Sequence, residues 1–500
     1  MTSLRGKPRC IMFLGFNSLL SKQAAGNLTK ERLNTILFLP DNFTGGCEMK
    51  KCLILLCVAG LIAASASSLF AGGIINKQNL SADYMRTMNR NAATDYADIA
   101  AFNPAGIMKM ADGGYAKLDV MYFDKDYSNK VPDNFGEFDQ NFGTLNSNEP
   151  SIIPGAFTIY KQKKWAGFFA FTIPAGGGKL DYNKGDARTV LLADGLAANF
   201  NEFLEGTFAT DLFNYTKLDS QKLEVKESSV LGFTIGGSYA INDMWSVAAG
   251  ARYAKGKREF KGKFKISAEN PTPVPVFPDP FTGKLHLEQD ADGWAGILGL
   301  NFSPNDKLNA ALTYISKTKL NYELDVNQDT ELPSGDDLSD AIGFKDGSHT
   351  RIDIPALLGV GISYRFLPQL KTDINFTYYF ETNATIETFD NQGNSWDLGL
   401  TAEYTFSPKW KASLGYLRTD IGLDSDQQIN EPEEPKLDAN TVAAGVVWSP
   451  KPAFAITAGG ALITYDDVDG PVETASGEKV TVDYDKEVWN LSIGFQWKFM

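Results

Sequence analysis

The sequence predicts an all-β protein: a transmembrane antiparallel β-barrel of about fourteen strands, with an N-terminal hatch plugging the lumen. Segments in the C-terminal half alternate apolar and polar residues, so each has one apolar and one polar face. In the last of them, Trp489, Leu491 and Ile493 share one face, and Asn490 and Ser492 share the other. Aromatic residues at the strand ends and charges on the polar face are typical of strands with lipid outside and water inside.

The N-terminal part of the chain predicts export. Met49 begins a short basic region, residues 53–64 are apolar, and small residues lead to a candidate cleavage site at Ala71, as in a secretory signal peptide. We therefore expect residues 49–71 to be removed. Residues 1–48 lack this pattern, and we expect them to be a non-native upstream extension. The alternatives are a single transmembrane helix over residues 53–71 and an extension that folds or binds a partner.

Composition excludes several classes of function. The chain has a formal net charge of -14, and the part that precedes Gly72 is basic, so the exported protein is expected to be still more acidic and poorly suited to nucleic acid. All four cysteines precede Gly72, which excludes disulfides and thiolate metal sites after cleavage. Without another apolar run long enough for a membrane helix, the chain must enter the membrane as strands closed into a barrel.

The spacing of strands and loops predicts the topology. Fourteen candidate strands begin near Gly114, Ser151, Trp165, Leu223, Met244, Lys284, Leu308, Thr350, Leu370, Ser395, Trp410, Leu437, Ala453 and Glu487. Short turns alternate with long loops, as in outer-membrane barrels. A lumen of this width leaks unless it is blocked. Residues 72–113 lack strand alternation and are available as the hatch, which leaves residues 114–500 for the barrel.

Two long loops have a distinct character. Residues 190–215 predict a helix, because apolar residues recur at helical spacing. These residues are Leu192, Leu196, Phe200, Phe203 and Leu204. Their surface either packs on the barrel mouth or receives an apolar ligand, and the two interpretations are compatible. Residues 270–281 contain five prolines and predict an extended, polyproline-like segment.

Several segments carry a resemblance to a known family. Residues 91–107 contain an Asn-Pro-Ala-Gly sequence, residues 354–365 form a strand rich in glycine, and residues 396–416 form a hairpin around Ser407-Pro408-Lys409. Together with the rest of residues 72–500, they resemble the FadL/TodX family of outer-membrane transporters for long-chain fatty acids and other hydrophobic compounds. One departure is Met500, because such barrels usually end on the preceding aromatic residue.

The resemblance implies a mechanism and two sites. Ligand would be captured at the extracellular loops, pass to a lumen site, and leave sideways into the membrane after the hatch shifts. The gating part of the hatch would be Asn103, Pro104, Ala105 and Gly106. The exit would be a kink in the third strand, and the candidate kink residues are Pro174, Gly176, Gly177 and Gly178. Proline lacks the N–H group that would donate to the neighbouring strand, and glycine weakens a strand, so strand pairing should fail at these residues. The simpler alternative to a kink is that the strand ends here and continues as a loop.

A fatty acid needs a cation for its carboxylate as well as an apolar groove. By alternation, the cations that face the lumen are Lys117, Arg252, Arg351, Arg365 and Lys371. Acidic residues face the same lumen, so we expect most of these charges to be paired or hydrated. Arg351 and Lys371 are the candidate carboxylate partners.

Catalysis and metal binding find little support in the sequence. Its two histidines, His286 and His349, lie near loop ends without a recognisable nucleophile or base motif. We therefore predict no enzymatic activity, no metal and no cofactor. The expected location is the outer membrane of a Gram-negative bacterium, and the expected partners are a hydrophobic ligand, outer-membrane lipid and lipopolysaccharide. The protein is expected to be a monomer. The alternatives to transport are a nonspecific aqueous porin, a surface adhesin or structural barrel, and a barrel enzyme.

Overall fold

The computed structural model describes residues 75–208, 214–268, 279–333, 335–387, 393–423, 436–474 and 479–499. The chain divides into two units, and all the described residues belong to the one from Leu53 to Met500. The predicted upstream extension, the predicted signal peptide and most of the predicted polyproline-like segment lie outside the described residues.

The described residues form one antiparallel sheet of nineteen strands. Fourteen of them are the barrel wall, and five others extend it, namely Thr144–Ser147, Leu180–Tyr182, Asn321–Gln328, His349–Arg351 and Val468–Glu473. The strands are β1 Gly113–Lys130, β2 Thr144–Ser147, β3 Ser151–Gln162, β4 Trp165–Gly176, β5 Leu180–Tyr182, β6 Tyr215–Ala240, β7 Trp245–Ala268, β8 Phe281–Phe302, β9 Leu308–Ile315, β10 Asn321–Gln328, β11 His349–Arg351, β12 Ala356–Arg365, β13 Leu370–Phe380, β14 Trp396–Ser407, β15 Trp410–Asp420, β16 Ala439–Lys451, β17 Phe454–Tyr465, β18 Val468–Glu473 and β19 Lys479–Lys498.

The first and last strands close the sheet. β1 pairs with β19 from Tyr115 opposite Lys498 to Lys130 opposite Asp483, and it pairs with β3 on its other side. Closure satisfies the backbone groups that an open edge would expose to lipid. The predicted fold, a closed barrel with fourteen wall strands, is confirmed.

The apolar face of the wall points outward, as predicted. In β19, Leu491 and Ile493 are 57% and 41% exposed, whereas Asn490 and Ser492 are 1% and 7% exposed. A water-soluble sandwich would cover such a face with a second sheet, but the described strands form a single sheet. Lipid is therefore the environment that suits this surface.

Outward-facing aromatic residues form two girdles. At the end with the short turns, the rings of Trp245 and Phe302 lie 4.4 Å apart, and this level is the inner girdle. Eight residues further along the same two strands, Tyr253 and Trp294 lie 5.1 Å apart, and this level is the outer girdle. Eight residues of a tilted strand rise by roughly 20 Å, close to the apolar band of an outer-membrane barrel. The long loops therefore lie on the extracellular side.

Some wall strands begin at residues that alternation did not predict. β6 begins at Tyr215 and β19 at Lys479, both earlier than expected, whereas β12 begins later, at Ala356 rather than near Thr350. The extra residues of β6 and β19 extend the wall beyond the membrane. Their outward side chains meet water there, so the apolar-polar alternation is weak.

The described helices are short except for one. α1 is Ala82–Arg86, α2 is Ile99–Phe102, α3 is Ala187–Phe208 and α4 is Leu338–Ala341; 3-10 helices span Pro104–Lys109 and Glu381–Asn383. The predicted loop helix over residues 190–215 is therefore confirmed as α3 up to Phe208, but Tyr215 already belongs to β6. Within the described residues, no helix combines the length and apolar character needed to span a membrane.

Candidate functional site: the hatch, the kinked strand and an apolar groove

Residues 75–112, called the hatch below, run through the lumen and contact the wall on opposite sides. Asn76 Nδ2 donates to the carbonyl of Pro355, which precedes β12, over 3.3 Å. On the other side, the backbone N–H of Ala97 donates to Gln496 Oε1 of β19 over 2.6 Å. Most hatch side chains are buried, so the hatch fills the barrel interior.

The Asn-Pro-Ala-Gly sequence forms a tight turn inside the hatch. Asn103 caps the 3-10 helix: its Oδ1 accepts from the backbone N–H of Gly106 over 3.1 Å, and its Nδ2 donates to the carbonyl of Ala93 over 2.9 Å. Nδ2 also lies 2.9 Å from Asn301 Oδ1 of β8. A Cβ on Gly106 would lie 2.9 Å from Asn103 Cγ, so the turn requires glycine.

Side chains of two wall strands form hydrogen bonds to the backbone of the same turn. Ser238 Oγ of β6 donates to the carbonyl of Pro104 over 2.7 Å, and Ser246 Oγ of β7 donates to the carbonyl of Ala105 over 2.8 Å. Asn103, Pro104, Ala105 and Gly106 are thus fixed against β6, β7 and β8. Their role in gating stays a prediction.

A buried charge network joins the hatch to the opposite part of the wall. Arg86 Nε lies 2.6 Å from Asp83 Oδ1, and the Arg86 guanidinium also pairs with Glu403 of β14. Asp83 Oδ2 lies 3.1 Å from Lys117 Nζ of β1. All four side chains are almost fully buried. Removing Arg86 would take the nearest cation from both Asp83 and Glu403, and buried carboxylates depend on such partners for their stability.

The hatch carboxylates differ in how their environment shifts their pKa. Burial alone would raise the pKa of Asp83, but Lys117, Arg86 and Arg90 hold it well below the ordinary value. The pKa of Asp95 is also lowered, because Lys371, Arg90 and other cations outweigh its burial. For Asp98 the effect of burial prevails over that of Arg90, and the pKa is raised.

The two candidate carboxylate partners already face carboxylates of the protein. Lys371 Nζ lies 3.6 Å from Asp373 and 3.7 Å from Glu403. Arg351 Nε of β11 lies 2.9 Å from Asp353 Oδ1. A ligand carboxylate would have to compete with these pairs, and the assignment of Arg351 and Lys371 to ligand binding stays a prediction.

Arg252 of β7 has a different environment. Its side chain faces the lumen and is 5% exposed. Within the described part of the chain, no carboxylate forms an ion pair with it, and its Nε has no hydrogen-bond partner. A buried guanidinium without an anion is costly. Alternation had placed Arg252 in the lumen, but only the structure shows that it differs from the paired cations.

An apolar groove opens above the outer girdle, between the loop helix α3 and strands β6, β7 and β8. The apolar residues that line it are Leu192, Leu223, Phe260, Phe264, Leu285, Leu287 and Leu338. Gly262 faces the groove, and a Cβ at this position would meet nothing within 4 Å. The groove exists partly because this inward position has no side chain.

The apolar residues predicted for the loop helix have two environments. Leu192 lines the groove. Leu196, Phe200 and Leu204 are buried in the apolar core under the loops, where the Phe200 ring lies 5.3 Å from that of Phe281. The side chain of Phe203 lies outside the described residues. Packing on the barrel mouth therefore accounts for most of the pattern, and ligand contact by these residues stays a prediction.

The predicted kink coincides with a gap in strand pairing. β3 and β4 pair from Gln162 opposite Trp165 only as far as Ala156 opposite Phe171, so in the described structure the rest of β3 has no partner on this side. The pairing of β4 with β6 continues, but its register shifts between Thr172 and Ala175.

The hatch and the loop after β4 occupy this gap. The backbone N–H of Lys77 donates to the carbonyl of Pro174 over 2.8 Å. Ser151 Oγ of β3 donates to the carbonyl of Gly177 over 3.1 Å. Gly176 and Gly178 have φ of +83° and +88°, a conformation that favours glycine. The wall is thus interrupted at these residues, and their role as a lateral exit stays a prediction.

Inward-facing glycines of the wall, which sequence reasoning missed, make room for the hatch. A Cβ on Gly361 would lie 2.8 Å from Ala92 Cβ, and a Cβ on Gly459 would lie 3.2 Å from Met85 Cβ. Gly155, Gly299, Gly359, Gly399, Gly415, Gly445 and Gly494 approach the hatch in the same way. The sequence signal was available: glycine recurs at the polar, inward positions of strands that are otherwise well patterned.

Three possible metal ligands lie on the outer surface, above the outer girdle. One ligand atom from each of Glu259, His286 and Glu288 falls within 4.8 Å of the others. Lys261 Nζ lies 3.1 Å from Glu259, and Lys257 Nζ lies 3.6 Å from Glu288, so lysines compete for both carboxylates. Sequence reasoning missed this group, because β7 contributes one residue and β8 the other two.

Comparison with protein families decides the membership of the chain. Residues 61–499 match the family described as outer membrane protein transport protein (OMPP1/FadL/TodX). The chain belongs to this family. The resemblance noted in the sequence is therefore confirmed, and so is the predicted location in the outer membrane. No curated protein sequence matches the chain.

Solved structures show the same fold as this OMPP1/FadL/TodX family member at low identity. A Pseudomonas aeruginosa FadL homologue is 14% identical, with a TM-score of 0.60 over 86% of this chain and 100% of its own. The Ralstonia pickettii toluene transporter TbuX is 16% identical, with a TM-score of 0.52 over 84% of this chain and 98% of its own. The Pseudomonas putida toluene transporter TodX is 13% identical, with a TM-score of 0.54 over 86% of this chain and 100% of its own. The family description is that of transport proteins rather than enzymes.

Proposed function

We propose that this protein carries hydrophobic compounds, long-chain fatty acids among them, passively across the outer membrane. The observation that carries the proposal is the interruption of the wall between β3 and β4, which the hatch residues Asn76 and Lys77 occupy. An aqueous pore has no use for a side opening. A ligand that avoids water gains by leaving through the wall directly into lipid.

The path begins at the groove above the outer girdle. Apolar side chains such as Leu192, Leu285 and Leu287 line it, so it suits a chain or ring of hydrocarbon rather than a sugar. From there the ligand enters the lumen beside the hatch. The hatch then shifts from Pro174 and Ala175 and opens the gap toward the membrane.

Arg252 is the residue that would favour an acid over a hydrocarbon. Its guanidinium is buried without an anion in the described structure, and a fatty-acid carboxylate would supply one. A toluene-like ligand offers no such contact. If fatty acids are the substrates, Arg252→Gln should lower oleate uptake and leave toluene uptake unchanged; an equal effect on both would remove this assignment.

The remaining parts of the proposal concern the mature protein. We propose that cleavage after Ala71 releases an exported chain that begins with the hatch, and that residues 1–48 are absent from it. We also propose that the barrel is a monomer whose apolar outer face lies in outer-membrane lipid. The filled lumen argues against a nonspecific aqueous porin.

Uptake of labelled oleate and labelled toluene by cells with and without the protein tests the proposed function. Toluene is the appropriate second probe because TodX and TbuX are described as toluene transporters. Faster uptake of at least one compound in the expressing strain is expected. Equal uptake of both compounds by the two strains would contradict the transport function.

A further inference from the structure

Three lysines lie side by side across three strands on the outer surface of the wall. Lys263 of β7 lies opposite Lys222 of β6 on one side and opposite Lys284 of β8 on the other. Side chains opposite one another in adjacent strands are about 5 Å apart at their Cβ atoms, and like charges in such pairs destabilise a sheet. These three residues are called the lysine row below.

The lysine row faces outward, toward the space that surrounds the barrel. Its strand neighbours Leu223, Phe264 and Leu285 are buried on the inner side, and side chains alternate along a strand. The pairing of β7 with β8 is in register from Trp245 to Ile266. Lys263 and Lys284 are therefore on the same face as Tyr253 and Trp294 of the outer girdle.

Two of the three lysines in the row have no carboxylate of the protein beside them. In the described part of the chain, no carboxylate lies within 4 Å of the ammonium groups of Lys263 or Lys284. The charge of Lys222 is partly balanced, because its Nζ lies 3.1 Å from Asp181 and 3.9 Å from Glu224. This surface is an exception in a chain with a net charge of -14.

Lysines nearer the membrane differ in this respect. Lys257 lies opposite Asp290 and 3.6 Å from Glu288, and Lys255 lies opposite Asp292. Carboxylates thus balance the lower part of the same face. The excess of positive charge is confined to the upper part, where the lysine row lies.

We propose that Lys222, Lys263 and Lys284 bind the anionic core saccharide of lipopolysaccharide in the outer leaflet. The row lies ten residues beyond the outer girdle, which corresponds to about 33 Å along a strand and roughly 25 Å above the girdle for a tilted strand. This height is above lipid A and within the saccharide layer. Phosphate and carboxylate groups of that layer suit several ammonium groups. The row faces sideways, toward neighbouring glycolipid, rather than into the lumen.

Native mass spectrometry of the purified full chain with rough-form lipopolysaccharide, which carries a phosphorylated core, tests this proposal. The double variant Lys263→Gln with Lys284→Gln removes two charges without breaking an ion pair of the protein. Its affinity for the rough-form lipopolysaccharide should fall about tenfold or more. Lipid A without the core should bind the variant and the wild type equally, because the row lies above it. Lys263→Arg with Lys284→Arg should retain binding.

The matched control neutralises two exposed lysines at the short-turn end, Lys307→Gln with Lys409→Gln, and should bind like the wild type. Heat-induced mobility shifts on gels verify that each variant is folded. Unchanged binding by the Lys263/Lys284 variant, or an equal loss in the control, would overturn the proposal. So would displacement of the glycolipid by millimolar inorganic phosphate, since the site would then be one for small soluble anions.

Discussion

Asn76 of the hatch forms an isolated antiparallel bridge with Ala175 of β4, the strand that bends away from β3. On its other edge, Ala175 pairs with Val230 of β6. The hatch therefore takes the position of the missing neighbour at the point where the wall is interrupted. In the proposed mechanism, a movement of the hatch would act on the wall through this backbone contact.

The ion pair between Arg86 and Glu403 should hold the hatch closed. Arg86→Gln removes the cation nearest to Glu403 and leaves that carboxylate with Lys371 and Lys411 at 3.7 and 3.6 Å. Loss of such a charged hydrogen bond costs about 1.5–3 kcal/mol, and we expect a rise in ion conductance across planar bilayers. Arg418→Gln is the control, because the pair of Arg418 with Asp438 is partly exposed and is worth only about 0–1 kcal/mol. Equal conductance of the two variants would show that the buried network does not restrain the hatch.

The wall glycines should be required for the hatch to fit. Gly361→Val places a side chain against the backbone of Ala92, so the hatch should be displaced and the cells should admit a polar dye that the wild type excludes. Gly167→Val is the matched control and should still exclude the dye, because a Cβ on Gly167 meets nothing within 4 Å. The prediction is wrong if dye entry is the same in both strains.

The Asn-Pro-Ala turn should be required for transport but not for assembly. Asn103→Ala removes hydrogen bonds to Gly106, Ala93 and Asn301, and each buried group left without a partner costs about 1–3 kcal/mol. Uptake should fall while the heat-induced gel shift of the folded barrel persists. Pro104→Ala should also impair uptake, because it loosens the start of the 3-10 helix. Wild-type uptake by both variants would remove the gating role of this turn.

The groove should be required for capture. Gly262→Phe introduces a ring into open space, so the barrel should fold while the groove is filled. The rate of ligand uptake at low concentration should then fall several-fold. Gly262→Ala is the matched control and leaves most of the volume empty. Equal uptake by the two variants would place capture elsewhere.

The fold was largely predictable from the sequence, because the period-two pattern reports directly on the lipid and the lumen. In β19, each residue from Trp489 to Trp497 faces either the lipid or the lumen, and the alternation of apolar and polar residues in the sequence shows which. The helix α3 was predictable because its apolar residues recur at helical spacing. The starts of strands that extend beyond the membrane were not predictable, because both faces of the strand meet water there and the apolar-polar alternation is weak.

The site was less predictable, because its contacts join distant parts of the chain. Arg86 and Glu403 are 317 residues apart and meet only through the register of the closed barrel. Strand register also places Lys263 opposite Lys284, and no local sequence pattern reveals that the two lysines are neighbours. Alternation placed Arg252 and Lys371 in the lumen together, but only the structure shows that Lys371 faces Asp373 and Glu403, whereas no carboxylate of the described residues pairs with Arg252.

A reversible cross-link between the hatch and β4 tests most directly whether transport requires the hatch to move. Asn76 and Ala175 are opposite each other in a pair whose flanking residues Lys77 and Pro174 form the hydrogen bond. In such a pair the Cα atoms are about 4.5 Å apart, within the range of a disulfide. Cleavage at Ala71 would leave no native cysteine to interfere. The measurement is ligand uptake by Asn76→Cys with Ala175→Cys before and after reduction, beside each single variant. We expect that the oxidised double variant does not transport, that reduction restores uptake, and that the single variants transport throughout. Wild-type uptake by the fully oxidised double variant would show that transport does not require the hatch to move away from β4.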